Sequence, residues 1–165
     1  MEALYVICVD DQREVLSAVV ADLAPLNDWL RVEDCESADE AFDLMEDLDA
    51  EGHYVAVVVS DHVMPDKTGV ELLKDIHTDS RFVDTKKVLL TGQATHSDTI
   101  QAINEAGVGH YFEKPWDAQR LVDTVRVLAT HYVFDHKLDH LPMIEHLDPQ
   151  TVFERMKASW SMLFP

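Results

Sequence analysis

Apolar residues in this chain fall into short unbroken runs, and these alternate with longer stretches in which they recur every three or four positions. Leu4 to Val9 and Val55 to Val59 lack the polar alternation of a half-solvated strand, so each predicts a strand buried on both faces of a parallel sheet. Lys87 to Leu90 and Gly109 to Glu113 read as two further strands, and a fifth is expected around Trp29 to Asp34. Between them, Val15, Leu16, Val19, Val20 and Leu23 share one helical face, as do Ala38, Ala41, Phe42, Met45 and Leu48, and again Val70, Leu72, Leu73 and Ile76. A fourth helix is predicted from Ser97 to Ala106, and a fifth carries Leu121, Val122, Val125, Leu128 and Ala129. Strands that alternate with helices through right-handed crossovers give an α/β fold, a parallel sheet with helices on both faces.

Punctuation supports these boundaries. Pro25 and Asn27 should end the first helix, Ser37 with Glu40 forms a capping box for the second, and Asp117 is a natural N-cap for the fifth. Met64-Pro65 stops the central strand's extension, and Lys67-Thr68-Gly69 supplies turn residues before the third helix. After about His131, Tyr132-Val133-Phe134 and Leu138 are expected to prolong the fifth helix until Pro142 ends it. Asp148-Pro149 then opens a last helix with Val152, Phe153, Met156, Trp160 and Leu163 along one side. The chain is therefore divided into a main domain, 1–131, and a helical C-terminal extension, 132–165. The stripe on that extension must bury against something: it docks on its own domain or pairs with the same helix of a second copy, it is a linker to a missing effector domain, or the helix is itself the output, released or ordered by a change in the main domain.

Composition narrows the function. The length of 165 residues suits one domain with an appendage, and no apolar run approaches the ~18 residues of a membrane span. The start, Met1-Glu2-Ala3-Leu4, has no basic region and the apolar run behind it breaks at Asp10-Asp11, so a cytoplasmic protein is expected. Cys8 and Cys35 fit that compartment as small buried apolar residues. A formal charge of −19 repels a phosphate backbone, which argues against direct nucleic-acid binding, and otherwise serves solubility or a saline habitat.

Candidate chemistry gathers at the strand ends. Asp10 and Asp11 follow the first strand, Asp61 the third, Thr91 the fourth and Lys114 the fifth, and open α/β sheets bind ligands beyond these carboxyl ends. Three packed carboxylates raise one another's pKa unless a cation sits among them. A hard divalent ion is implied, and magnesium, with manganese as a substitute, takes carboxylate, water and phosphate oxygens. Lys114 offers a point charge to a phosphoryl group and Thr91 a hydroxyl donor. Attack by Asp61 on phosphorus would give an acyl phosphate.

These segments, V-I-C-V-D-D, V-V-V-S-D-H-V-M-P-D-K-T-G, V-L-L-T-G and Y-F-E-K-P-W, resemble the receiver domains of two-component response regulators, over Leu4 to about His131. The resemblance implies a flavodoxin-like, doubly wound five-stranded sheet in the order 2-1-3-4-5. It implies that Asp61 accepts a phosphoryl group from the phosphohistidine of a sensor histidine kinase or phosphotransfer protein. It further implies that Asp10, Asp11 and Asp61, with the main-chain carbonyl of Val63, bind magnesium, that Thr91 and Lys114 contact the phosphoryl group, and that Lys114-Pro115 is cis. Thr91 then moves toward the phosphate and Tyr111 turns inward, which changes the face made by the fourth helix, fifth strand and fifth helix; a homodimer is one outcome. Val63 and Gln93 are expected to flank the water path that sets the phosphoryl lifetime.

Rival readings fare worse. An aspartyl-phosphate phosphatase needs an acid two residues after its nucleophile, where this chain has Val63, and a degenerate receiver would lack one of the acids or the lysine. The switch is thus not expected to be an enzyme beyond its own phosphotransfer and dephosphorylation. An alternative is the N-terminal receiver of a larger regulator. His136 and His140, four apart, make a weak metal pair, and Trp116 reads as a surface or interface aromatic.

Overall fold

The computed structural model describes residues 2–92 and 97–163. Five parallel strands, β1 (Leu4–Val9), β2 (Arg31–Cys35), β3 (Tyr54–Asp61), β4 (Lys86–Thr91) and β5 (His110–Glu113), lie in the order β2-β1-β3-β4-β5. The expected order 2-1-3-4-5 is the observed one. Helices α1 (Arg13–Asp22), α2 (Ala38–Ala50), α3 (Gly69–Thr78), α4 (Ser97–Glu105) and α5 (Ala118–Asp135) connect and cover the strands, and α6 (Pro149–Leu163) follows.

The alternation of side chains along each strand builds two cores. Val6 and Cys8 with Val57 and Val59 face α1 and α5, where Leu16, Leu23, Leu121 and Val125 pack against them. Tyr5, Ile7 and Val9 with Val58 face α2, α3 and α4 through Met45, Leu72, Leu73 and Ile103. Both faces of β1 and β3 are therefore dry, which is why these runs show no polar alternation. Asp117 caps α5 by accepting from the Arg120 amide at 2.9 Å, as its position predicted. Ser37 likewise accepts from the Glu40 amide, but the Glu40 carboxylate answers the amide of Glu36 rather than that of Ser37. The reciprocal box forms instead at Thr68 and Glu71, at the entry of α3.

The end of α5 differs from expectation. The helix stops at Asp135, not at Pro142, because Lys137 takes a left-handed conformation at φ 55° and the Leu138 amide reaches back to the Val133 carbonyl at 2.9 Å. His136 and His140 therefore do not share a helical face: His136 bonds Asp84 at 2.9 Å and stacks on Tyr132, while His140 stacks on Phe134.

The last helix docks by its first turns. Thr151 and Val152 are buried, Leu147 joins the core under α1 and α5, and Arg155 reaches Asp135 at 2.6 Å. Phe153, Trp160 and Leu163 remain exposed, so the apolar side expected as one stripe is split between core and solvent. Asp148 organises the joint: its amide is held by the Thr130 hydroxyl, and its carboxylate accepts from the Thr151 amide and hydroxyl. Asp148→Ala removes an N-cap worth ~1 kcal/mol. Hydrogen exchange should then rise roughly fivefold in the first turns of α6 while α1 to α5 keep their protection.

Candidate functional site

The crevice at the carboxyl end of the sheet is built by chain direction. β1 and β3 lie side by side and parallel, so the residues that leave them, Asp10 and Asp11 from one and Asp61 from the other, arrive at the same rim. Asp10 is fixed where the chain turns away: its amide donates to the Cys35 carbonyl at 3.1 Å and its Oδ1 accepts from the Gln12 amide at 2.8 Å. Beyond β5, the Lys114 amide donates to the Thr91 carbonyl at 3.0 Å, which draws the lysine in beside the end of β4. The Lys114–Pro115 peptide is cis.

Ligand atoms of Asp10, Asp11 and Asp61 lie within 4.8 Å of one another. Lys114 Nζ stands 2.7 Å from Asp61 Oδ1 and 3.6 Å from Asp10 Oδ2. Asp10 is 1% exposed and Asp61 7%, while Asp11 is open to solvent. One lysine thus faces two buried carboxylates, and a third carboxylate stands beside them at the surface. Burial first, and then the neighbouring Asp61 and Asp11, push the Asp10 carboxyl above its ordinary range, against the Gln12 amide and Lys114. Its Oδ2 is buried without a hydrogen-bond partner. An orphaned buried carboxylate oxygen beside two more carboxylates is a donor set that fits a hard divalent cation with oxygen ligands.

A carboxyl whose pKa is higher folded than unfolded binds more protons in the native state. Stability then falls as pH rises through that interval, and the cost is fully present above it. Asp10→Asn removes the cost at neutral pH. In EDTA its Tm should rise by a few degrees, since ~1 kcal/mol moves a chain of this size by roughly 2 to 4 °C. Magnesium affinity should fall by about tenfold or more with the lost ligand charge, a trade read by thermal scans and metal titration.

Thr91 is buried at the end of β4, and Tyr111 on β5 is 44% exposed, its ring outward near that of His110. Val63, two residues beyond Asp61, has an exposed side chain, and Gln93 lies outside the described residues. Two supporting residues escaped the sequence reading. The Ser60 hydroxyl donates to the Asp61 carbonyl at 2.8 Å. Gly69, read only as a turn residue, passes so close behind β3 that a Cβ there would stand 1.9 Å from the Asp61 carbonyl oxygen. Trp116 is no free surface aromatic: it packs on the core and its indole N–H donates to Asp22 at 2.7 Å.

The sequence profile of the response regulator receiver domain matches residues 6–126. The chain is 35% identical over 121 residues to the hydrogenase transcriptional regulatory protein HoxA of Cupriavidus necator, covering 73% of this chain and 23% of that protein. It is 28% identical over 125 residues to the chemotaxis protein CheY1 of Helicobacter pylori, covering 76% and 96%. Among solved structures, the signal receiver domain of an HD domain-containing protein from Pseudomonas fluorescens Pf-5 superposes with a TM-score of 0.70 at 27% identity, over 83% of this chain and 94% of that one.

Proposed function

The chain belongs to the response regulator receiver domain family, and on that premise we propose that Asp61 is its phosphoacceptor, charged by a histidine kinase or phosphotransfer protein. The observation that carries this reading is the position of Asp61: a nearly buried carboxylate at a strand end, paired with Lys114 at 2.7 Å and within 4.8 Å of two further acids. An Asp61 oxygen forms the new bond to phosphorus, and the bond to the donor's histidine nitrogen breaks. Lys114, already beside Asp61 Oδ1, is placed to follow the charge onto the phosphoryl oxygens, and the Thr91 hydroxyl is assigned the role of hydrogen-bond donor to one of them. Asp10, Asp11, Asp61 and the Val63 carbonyl would hold magnesium, which when bound offsets negative charge at the reacting oxygens.

Phosphorylation adds ~−1.5 to −2 charges at this rim. We assign the response to Thr91 and Tyr111, and the output to the face formed by α4, β5 and α5. Only a few kcal/mol of differential contact is needed to shift such a pair of states. The same module would serve a longer regulator, and the chain spans only 23% of the HoxA relative and 52% of the response regulator Rre1 of Synechocystis. Beryllofluoride with magnesium tests the reading without turnover: amide resonances of Asp61, Thr91, Tyr111 and Lys114 should shift together. Shifts confined to the loop after Asp61, with Tyr111 unmoved, would overturn the proposed switch. No helix among the described residues is long and apolar enough to cross a membrane.

A further inference from the structure

A second polar cavity lies at the opposite, amino-terminal end of the sheet, beneath the start of β5. It encloses about 410 Å3, and its walls include Lys86 and Lys87 of β4, His77 of α3, Gly109 before β5, and His131 and Asp135 of α5. The chain carries 32 acids against 13 lysines and arginines, so cations lining a cavity of their own run against its composition.

Lys87 is the anomaly. It is 4% exposed, its ammonium donates to the Thr85 carbonyl at 3.0 Å, and it forms no ion pair among the described residues. A buried ammonium without a counter-charge is costly. Burial, and the neighbouring Lys86, hold its pKa down to about 8. The one carboxylate in the wall does not answer it, because Asp135 is already shared by Lys86 and Arg155. Arg155 also donates to His131 Nδ1 at 3.1 Å, which leaves Nε2–H as that ring's donor. Lys87 thus shares the cavity wall with Lys86 and with a carboxylate already held by Lys86 and Arg155, and the volume lies in the range of small-molecule sites, well above that of a single bound ion.

We propose that this cavity binds a small phosphate-bearing anion, with Lys87 as its principal counter-charge and Lys86 and the His131 Nε2–H as supporting donors. Compact ammonium groups suit phosphate oxygens as point charges. The site is independent of Asp61, which lies at the other end of β3 and β4.

The test uses the full chain in EDTA, titrated with inorganic pyrophosphate and, in parallel, with ADP, and followed by amide chemical shifts. Saturable shifts at Lys86, Lys87, Gly109 and His131 are expected, unchanged by Asp61→Asn. Lys87→Met should weaken binding by about tenfold or more. Should that variant fold poorly, Val83→Asp keeps the test open, since Val83 lines the cavity yet is 64% exposed and a rim carboxylate there repels the anion. Tighter binding of ADP would place the nucleoside against Val83 and Leu128, whereas equal affinities assign the phosphate alone. Shifts that never saturate, that centre on Lys114, or that persist at full affinity in both variants would overturn the proposal.

Discussion

Asp61→Asn should take up no phosphoryl group from acetyl phosphate and magnesium, under conditions in which the unaltered chain gains one. The substitution is nearly isosteric and leaves Lys114 beside Asp10, so the crevice should keep its shape. What disappears is the anionic oxygen that attacks phosphorus, and removing a nucleophile acts on a scale of at least about a thousandfold. Neither neighbour should substitute. Asp10 is buried with one oxygen committed to the Gln12 amide, and Asp11 lies in the open. The readout is intact mass with radiolabel as a second measure, and uptake by the variant at the unaltered rate would remove Asp61 from its role.

Gly69→Ala should be the most damaging single methyl group that can be added near the site. The Gly69 amide donates to the His62 carbonyl at 2.8 Å, which closes the loop between β3 and α3 and brings the Gly69 Cα against the backbone of Asp61. A Cβ would meet the Asp61 carbonyl oxygen at 1.9 Å and its carbon at 2.8 Å. Both are main-chain atoms in a buried strand, so no side chain can swing away to admit the methyl. Forcing atoms into a packed region costs typically 1 to 3 kcal/mol, and a clash with backbone belongs at roughly 3 kcal/mol or above. At about 2 to 4 °C per kcal/mol, Tm should fall by about 10 °C, with metal affinity falling too because the acceptor is displaced. A thermal scan with a magnesium titration checks both, and an unchanged Tm would mean the loop is not packed on Asp61 as described.

The sheet and the convergence of Asp10, Asp11, Asp61 and Lys114 were legible because both depend on local patterns. Unbroken β-branched runs mark strands dry on both faces, and parallel strands bring their carboxyl ends to one rim without further information. The features that were hidden depend on contacts between distant or unmarked positions. Gly69 looks like any turn glycine until the strand behind it is in place. The close of α5 rests on Lys137 in a left-handed conformation, which no glycine or asparagine announces, whereas Pro142, the visible helix breaker, lies seven residues beyond the observed end at Asp135. Glu40 had two amides within reach and took that of Glu36. The apolar side of α6 could not be apportioned, because periodicity shows that residues share a face but not how much of the face is covered. Trp116 found its partner 94 positions away at Asp22, a distance at which sequence spacing carries no signal.

The most direct measurement traps the acceptor itself. The chain would be charged with acetyl phosphate in magnesium or in EDTA, reduced with borohydride to convert any acyl phosphate to a stable alcohol, and mapped by peptide mass spectrometry. A single modified residue at Asp61, present with magnesium and lost in EDTA, is the predicted result. Modification at Asp10, Asp11 or a residue outside the crevice, or equal modification without metal, would contradict it.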